Sequence, residues 1–487
     1  MTTKISIDPI TRLEGHGKIE IFLDDTGNVE NVYFQVPELR GFETFCEGHP
    51  VEELARITTR ICGVCPEAHH MASAKAADAV YGVDPPPTAK KLRELLYSAF
   101  YVTDHATHFY ILGGPDFIVG PDADPRVRNI LGVIGKVGKE VGLQVINTRH
   151  RCHQVIKILG GKTIHPISSI PGGVSTGLSE EDRKEIEATA RDAVEFGKFS
   201  IKAFEDIVLA NKAYVDMIMH DGYRHDTYNM GTVDENNHIN FYDGMVRVTD
   251  QDGSEFAKFH PRDYLDHIAE RVEPWSYLKF PYLKKVGWKG FVDGKDSGVY
   301  KATPLSRCNA ADGMATPLAQ EQYEKMYDTL GGKPVNATLA THWARLVELQ
   351  YAAERMLELV TDPEITSDDF RTIPTGTPSE GVGEVEAPRG TLFHHYITDE
   401  NGIVKKVNLI VGTTNNNAPI CMSLKKAAQT VIKDGDIGQG ILNLVEMGFR
   451  AYDPCFGCAT HSLPGSMPLI VNIHDSSGEV LKTIRRD

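Results

Sequence analysis

The sequence predicts an α+β fold that is mainly α-helical with small β-sheets. Two observations favour this class. Apolar residues recur at helical spacing over long segments, at about 66–80, 88–113, 125–150, 179–219, 336–361 and 421–449. Segments in which apolar and polar residues alternate are short and lie around turn sequences, at 18–36, 238–254 and 393–411. Helices should therefore form the body, with hairpins attached to it.

Several of these elements begin or turn at characteristic residues. Asp25-Thr26-Gly27-Asn28 is typical of the turn in the first hairpin, and Asn401-Gly402 of the turn in the last. Pro66 suits the first turn of a helix, and the segment from Ser179 to Asp182 resembles a capping box. The stretch 362–390 is rich in Pro, Gly, Thr and Glu, which predicts a loop.

Composition and charge limit the class of protein. The 487 residues carry 51 Lys and Arg against 67 Asp and Glu, a formal net charge of −16. An acidic chain is a poor candidate for binding nucleic acid or an anionic membrane surface. No run approaches the roughly 18 apolar residues of a membrane span. The N-terminal sequence lacks the layout of a signal peptide, so we predict a cytoplasmic protein.

Four of the eight cysteines form two Cys-x-x-Cys pairs near opposite ends of the chain, Cys62 with Cys65 and Cys455 with Cys458. Two intervening residues let both sulfurs of a pair reach one soft or borderline metal. A structural zinc site is one interpretation, although the pairs of a zinc ribbon usually lie roughly 15–20 residues apart. A redox pair of the thioredoxin type is disfavoured, because neither pair follows a βαβ pattern.

The sequences around the two pairs resemble the two signatures of the NiFe-hydrogenase large subunit. They read RICGVCPEAH over 60–69 and DPCFGCATH over 453–461. The resemblance runs the length of the chain and includes RLEGH at 12–16, RGFE at 40–43, DH at 104–105 and EAPRG at 386–390. Pro66 and the GTTNNN stretch over 412–417 are most similar to the cytoplasmic, cofactor-coupled branch, which is NAD-linked or electron-bifurcating.

The resemblance implies that Cys62, Cys65, Cys455 and Cys458 bind nickel. Cys65 and Cys458 would also bridge to an iron that carries CO and cyanide ligands. Soft thiolates suit both metals. Glu14 would be the first proton relay, beside Cys455. A carboxyl group near a buried metal can have its pKa tuned towards neutrality, whereas the alternative for Glu14 is an ordinary surface carboxylate.

By the same resemblance, further residues would surround the metals. Arg389, next to Pro388, would lie over the site and donate hydrogen bonds to a cyanide ligand. Asp104 and Asp453 would hold its guanidinium in place. Thr413 would donate a hydrogen bond to the second cyanide.

The resemblance also implies a second metal site, usually magnesium, formed by Glu43, His461 and the backbone carbonyl of Leu409. It gives His69 a hydrogen bond to a cysteine sulfur, although a lone histidine on a helix is more often a core residue. The remaining cysteines are scattered singly and are interpreted as small buried hydrophobic residues: Cys46, Cys152, Cys308 and Cys421. We therefore expect no iron–sulfur cluster in this chain.

We predict one domain over residues 1–461, in which the two cysteine pairs meet, followed by a C-terminal extension over 462–487. In the family that the chain resembles, a protease removes such an extension once nickel is loaded. Alternating residues around Ser477-Gly478 predict a hairpin in the extension. Because a retained extension needs an exit path, we expect the uncleaved chain to hold Cys455 and Cys458 away from the first pair.

These observations predict the catalytic large subunit of a cytoplasmic NiFe-hydrogenase, which interconverts H₂ with two protons and two electrons. The chain lacks cluster motifs and nucleotide-binding fingerprints, so the electrons must leave through a partner. The implied partners are an iron–sulfur small subunit, flavin- and NAD-binding diaphorase-type subunits, a maturation protease and nickel-insertion factors. Two alternatives are a scaffold like the quinone-site subunit of respiratory complex I, whose members lack the four cysteines, and a zinc-stabilised structural subunit.

Overall fold

The computed structural model describes residues 3–460, 469–475 and 479–486. Helices predominate in this part of the chain and the strands form small sheets, so the predicted α+β class is confirmed. None of the helices described is long and apolar enough to cross a membrane.

The α-helices are numbered in chain order. They are α1 (Phe42–Cys46), α2 (Val51–Ile57), α3 (Pro66–Tyr81), α4 (Pro87–Thr107), α5 (Pro115–Ile118), α6 (Ile130–Val137), α7 (Lys139–Gly160), α8 (Glu180–Phe204), α9 (Lys212–Ile218), α10 (Tyr264–His267), α11 (Pro304–Ala310), α12 (Pro317–Thr329), α13 (Thr341–Thr361), α14 (Asn417–Val431), α15 (Gln439–Arg450) and α16 (Phe456–Ala459). Short 3₁₀ turns lie at Thr58–Ile61, Asp221–Tyr223, Pro261–Asp263, Thr338–Ala340 and Gly412–Asn416. Wider π-helical turns continue α4 over His108–Gly113 and α8 over Glu205–Leu209.

The strands are numbered in the same way. They are β1 (Thr3–Ile7), β2 (Lys18–Leu23), β3 (Val29–Gln35), β4 (Ser169–Ile170), β5 (Gly173–Val174), β6 (Tyr228–Val233), β7 (His238–Ile239), β8 (Met245–Thr249), β9 (Glu255–Phe259), β10 (Ile268–Val272), β11 (Lys279–Leu283), β12 (Tyr300–Lys301), β13 (Gly313–Met314), β14 (Glu380–Ala387), β15 (Gly390–Thr398), β16 (Val404–Ile410), β17 (Leu469–His474) and β18 (Val480–Arg486). The larger sheets have the strand orders β1-β2-β3, β13-β7-β6-β8-β9 with β12 beside β6, and β14-β15-β16. The pairs β4-β5, β10-β11 and β17-β18 stand alone.

Two of the three hairpins predicted within residues 1–461 are present in the structure. Those at 18–36 and 393–411 are confirmed, as the antiparallel pairs β2-β3 and β15-β16. The interpretation of 238–254 as one inserted hairpin is wrong, because β8 pairs with β6 and β9 instead of β7. Alternating residues indicate a strand and its buried face, but they do not identify the neighbouring strand.

Helix α13 lies at the centre of the core and is buried along nearly its whole length. Helices α4 and α8 pack against it. The start of α8 follows the predicted capping pattern, since Ser179 Oγ accepts the backbone N–H of Asp182 at 3.1 Å. Pro66 is the first residue of α3, where its missing N–H costs no helical hydrogen bond.

The prediction of a loop over 362–390 is wrong for residues 380–387, which form β14 and pair with β15. Gly383 explains the difference. A Cβ at this position would lie 2.0 Å from the carbonyl oxygen of Ala72 in α3. Glycine lowers the strand propensity of this segment, but its missing side chain allows β14 to contact the backbone of α3. This contact fixes α3, which starts after Cys65, against the hairpin that turns at Pro388-Arg389.

Replacing Gly383 with alanine should lower the free energy of unfolding by about 1–3 kcal/mol, because the new methyl group meets helix backbone that has no room to move. Denaturant unfolding of the purified protein measures the change. Gly135→Ala in α6 is the control, since nothing lies within 4 Å of a Cβ there and alanine favours a helix. Equal stability of the two variants would contradict the packing of β14 on α3.

Candidate metal centre

The two cysteine pairs lie together in the structure. Cys62 follows the 3₁₀ turn Thr58–Ile61, Cys65 directly precedes α3, and Cys455 directly precedes α16, which contains Cys458. The four sulfurs lie within 4.8 Å of one another, and all four residues are buried. The Sγ–Sγ distance is 3.0 Å between Cys455 and Cys458 and 3.2 Å between Cys62 and Cys455. A single metal ion can contact all four sulfurs in this arrangement.

The four thiols of this group differ in how easily they ionise. Hydrogen bonds from the other cysteines, Cys455 first, hold the pKa of Cys62 well below its usual range. Burial instead raises the pKa of Cys455 and Cys458 well above theirs. Four buried sulfurs cannot all ionise unless a cation compensates them. A soft or borderline divalent metal supplies that charge, so the donor set fits such a metal.

Glu14 lies directly beside the second pair. Its Oε2 accepts hydrogen bonds from Cys455 Sγ and from the backbone N–H of Gly457, each at 2.9 Å. Its peptide is bonded on both sides, because Glu14 N–H donates to Pro454 O at 3.4 Å and Phe456 N–H donates to Glu14 O at 3.0 Å. Burial, followed by nearby thiolate charge, raises the pKa of Glu14. This carboxyl group can therefore exchange a proton with a sulfur nearer to neutral pH than an exposed glutamate could.

Arg389 lies in the turn between β14 and β15 and is buried. Its Nη1 donates to Asp104 Oδ2 at 2.9 Å, and its Nη2 lies 2.9 Å from Asp453 Oδ2. Burial lowers the pKa of Arg389, but the two carboxylates outweigh it and hold the pKa well above its usual value. Its Nε has no hydrogen-bond partner in the described part of the chain. A charged group with an unused donor thus lies at the site.

A small pocket of about 10 Å³ adjoins Cys65, Cys455 and Cys458. Much of its wall is apolar, from Ala68, Ala387, Leu392 and Val411. Arg389 and Thr413 contribute polar groups. Thr413 Oγ1 accepts the backbone N–H of Cys455 at 3.0 Å, which leaves the hydroxyl hydrogen able to donate into the pocket. The pocket is about the size of one water molecule, and its wall suits groups that need few hydrogen bonds.

His69 contacts the second pair from α3. Its Nε2 lies 3.4 Å from Cys458 Sγ, and its Nδ1 lies 3.1 Å from His394 Nε2. The chain continues through Tyr396 Oη, 2.6 Å from His394 Nδ1, to Ser73 Oγ at 2.8 Å. Such a buried chain fixes the orientation of the His69 ring against the sulfur.

Glu43 and Leu409, two of the three residues predicted to hold magnesium, are adjacent, since Leu409 N–H donates to Glu43 Oε1 at 2.8 Å. The third, His461, lies outside the described residues. Lys279 Nζ lies 3.5 Å from Glu43 Oε1 and 3.4 Å from Glu270 Oε2. Oxygen donors fit magnesium, and Glu270 balances the charge of Lys279.

Arg345 lies on α13, is fully buried, and is not among the site residues that the sequence predicts. Its Nη1 lies 3.5 Å from Asp453 Oδ2 and donates to Pro388 O at 3.2 Å, and its Nη2 donates to Ala451 O at 3.2 Å. Pro388, predicted beside the ligands, does not line the pocket but is held by this contact. Arg345 and Glu348 stand among apolar residues of a long helical pattern, and this is the signal that could have identified Arg345, because arginine is rarely buried unpaired. Lys279 gave no such signal.

The expectation that the uncleaved chain holds the second cysteine pair apart is wrong. Strands β17 and β18 of the extension form the predicted hairpin, whose turn residues Ser477-Gly478 lie outside the described part, and all four sulfurs are nonetheless together. Local hydrogen bonds explain this. Thr460 O accepts the N–H of Arg40 at 2.8 Å, and Thr460 Oγ1 donates to Phe456 O at 2.8 Å. They anchor the segment to Arg40 and within its own turn.

A buried group of four thiols beside a carboxyl group and a guanidinium defines a metal-dependent redox enzyme. The sequence family described as nickel-dependent hydrogenase matches residues 40–124 and 140–461, and a family described as HoxL-like matches 4–39. The chain belongs to the nickel-dependent hydrogenase family, in which it is a catalytic large subunit.

Relatives agree with this assignment over nearly the whole chain. An iron-sulfur subunit of the F420-non-reducing hydrogenase of Archaeoglobus profundus is 53% identical over 99% of this chain and 99% of its own length. The NAD-reducing hydrogenase HoxS subunit beta of Cupriavidus necator is 38% identical over 99% of both chains. A crystal structure of an NAD⁺-reducing NiFe-hydrogenase in its H₂-reduced state matches with a TM-score of 0.88 and 35% identity, over 94% of this chain and 100% of that one.

Replacing Cys62 or Cys458 with serine should abolish nickel retention, because a hydroxyl group is a hard ligand that is rarely ionised at neutral pH. Nickel content per chain of the purified protein measures the effect. Cys152→Ser is the control, since Cys152 is equally buried but lies outside the group of four sulfurs. Full nickel content in either test variant would contradict the site.

Proposed function

We propose that Cys62, Cys65, Cys455 and Cys458 bind nickel, and that Cys65 and Cys458 also bridge to an iron carrying CO and cyanide. The closed group of four sulfurs is the observation that supports this most. The pocket beside it adjoins both proposed bridging cysteines, which is where ligands on the iron would project.

The proposed iron ligands suit the pocket wall. CO is a weak hydrogen-bond acceptor and suits the apolar side chains, whereas each cyanide is an anion that needs a donor. Arg389 and Thr413 offer one donor group each. Asp104 and Asp453 hold the guanidinium in its orientation, and His69 does the same for the sulfur of Cys458.

The chemistry of H₂ cleavage is shared between the metals and this chain. Nickel and iron would supply Lewis-acid sites that polarise H₂ and take up its two electrons, so that each H₂ yields two protons. The protein supplies the base, because Cys455 Sγ takes a proton and passes it to Glu14 Oε2 at 2.9 Å. The raised pKa of Glu14 suits a group that must both accept and release that proton. Arg389 remains protonated and serves as a fixed donor.

The proposal includes a magnesium ion held by Glu43, the carbonyl of Leu409 and His461. The adjacency of Glu43 and Leu409 supports it. Thr460, which precedes His461 in the sequence, accepts the N–H of Arg40 through its carbonyl, and the ion would tie this end of the 455–460 segment to β16.

Electrons are proposed to leave through an iron–sulfur small subunit. An apolar surface beside the first cysteine pair supports this partner. Val64, between Cys62 and Cys65, is 38% exposed, and Ile164 and Ile167 are 48% and 40% exposed. The loop carrying the two isoleucines is held next to that pair, because His165 Nδ1 lies 2.9 Å from Thr59 O. Exposed apolar side chains in one place mark a surface that a partner covers.

Beyond the small subunit, we propose flavin- and NAD-binding diaphorase-type subunits and a cytoplasmic location, supported by the relative named as NAD-reducing. No cluster is proposed in this chain, whose remaining cysteines are buried singly. One domain is proposed over 1–461, with nickel-insertion factors loading it and a protease removing 462–487. The match to the hydrogenase family ends at residue 461, which supports that boundary.

Metal analysis and infrared spectroscopy test the proposal together. The protein, produced with its maturation factors, should contain nickel and iron, oxidise H₂ with an artificial electron acceptor, and show infrared bands from bound CO and cyanide. One zinc per chain without nickel would favour a structural subunit instead. Protein without any of these metals would favour an electron-transfer scaffold of the complex I type.

Glu14→Gln should keep both metals and lower the turnover number by about 10²–10⁴-fold, because the amide preserves shape but cannot relay a proton. H₂ oxidation per bound nickel measures this. Glu38→Gln is the control, since Glu38 is a nearby carboxylate that pairs with His16 and makes no contact with Cys455. Turnover of the Glu14 variant equal to that of the control would remove Glu14 from the proton route.

A further inference from the structure

Arg307 is a fully buried arginine that the proposed mechanism does not use. It lies on α11, far along the sequence from every residue of the metal centre. A guanidinium in such surroundings needs a counter-charge and acceptors for five N–H groups.

All five donors of Arg307 have acceptors. Its Nε and Nη2 form a fork on the carboxylate of Glu348, at 2.6 and 2.7 Å. The other three contact consecutive residues, namely Glu386 Oε2 at 3.0 Å, Ala387 O at 2.9 Å and Pro388 O at 3.3 Å. Glu348 therefore balances the charge, and the remaining donors hold the end of β14.

The residue that follows is Arg389. Its carboxylate partners leave its position incompletely fixed, since each contacts a single nitrogen and Asp104 Oδ1 has no partner among the described residues. The backbone of the turn must fix the rest. Glu386 is itself held firmly, because its Oε1 accepts the N–H of Thr232 at 2.7 Å and the hydroxyl of Thr391 at 2.9 Å.

The hydrogen bonds of Arg307 also connect it to the metal centre through Glu348. Glu348 Oε2 lies 2.9 Å from His105 Nε2, and His105 is the neighbour of Asp104 on α4. Arg307 is thus connected to Arg389 through the turn and, by way of His105, to the helix that carries one of its carboxylate partners.

We propose that Arg307 is a positioning residue for the H₂ reaction: its hydrogen bonds to residues 386–388 hold Arg389 in register with the pocket beside Cys65 and Cys458. The inference rests on the proposed function, because only a metal-loaded site contains the cyanide that Arg389 would contact. Lysine cannot take this role, since a point charge with three donors lacks the planar fork.

Arg307→Lys in the metal-loaded enzyme tests the inference. Nickel and iron content should stay at the wild-type level, the cyanide infrared bands should shift, and H₂ oxidation per nickel should fall by roughly 10–100-fold. Arg93→Lys is the matched control. Arg93 is also buried, pairs with Asp78 at 2.6 Å and bonds the carbonyl of Gly173, but contacts no residue of the site. It should keep the wild-type bands and rate per nickel.

A double-variant cycle separates positioning from general damage. Arg389→Lys should shift the same bands, and adding Arg307→Lys to it should cost less than the product of the two separate losses, because both act through one guanidinium. If Arg307→Lys does not accumulate, Glu348→Gln replaces it with the same expectations, since it removes the charge that holds the fork.

Two results would overturn the inference alone: unshifted cyanide bands in a metal-loaded Arg307 variant, or losses that multiply in the double variant. Wild-type protein without nickel and without cyanide bands would overturn the proposed function, and this inference with it. The two failures are therefore distinguishable in one set of samples.

Discussion

The paired hydrogen bonds between the Glu14 peptide and the segment Pro454–Phe456 hold the centre together. They bring Glu14 beside Cys455, 441 residues along the chain, and in the same step set this proposed proton relay against the cysteine sulfur. The entropic cost of closing a loop rises only with the logarithm of its length. Joining the two ends of this chain therefore costs little more than closing a much shorter loop, and the core between them offsets that cost.

The surroundings of the sulfurs are organised by buried charge. Arg389, Arg345 and Arg307 are all buried, each against carboxylates. Taking such pairs out of water costs about as much as their attraction returns, so they add little to stability. Their value is orientation: donors that are already fixed in a dry site need no rearrangement when charge changes there. Arg307 and Arg345 also hold the carbonyls of Ala387 and Pro388, which constrains the turn before Arg389.

Much of this arrangement could be predicted from the sequence. The features that could not be predicted have identifiable physical causes. The two Cys-x-x-Cys pairs are visible because metal binding requires their spacing, and α8 is visible because Ser179 caps it. Strand β14 was not predicted because Gly381 and Gly383 lower the strand propensity of this segment. Both glycines are needed for its close contact with α3. The roles of Arg345 and Arg307 were not predicted, because a periodic pattern identifies the buried face of a helix but not the charged partners of a residue on that face. Lys279, on strand β11, was not predicted because Glu43, one of the two carboxylates beside it, lies far from it in the sequence.

The four sulfurs lie together in a chain that includes β17 and β18. Among the described residues, the contacts that fix the 455–460 segment include the peptide of Glu14, the hydroxyl of Thr413 and the N–H of Arg40. Phe456 adds an apolar anchor, since it is fully buried with its ring 4.9 Å from that of Phe34. None of these interactions requires a free chain end. The contacts of the described residues therefore suffice to bring the four sulfurs together while β17 and β18 are present.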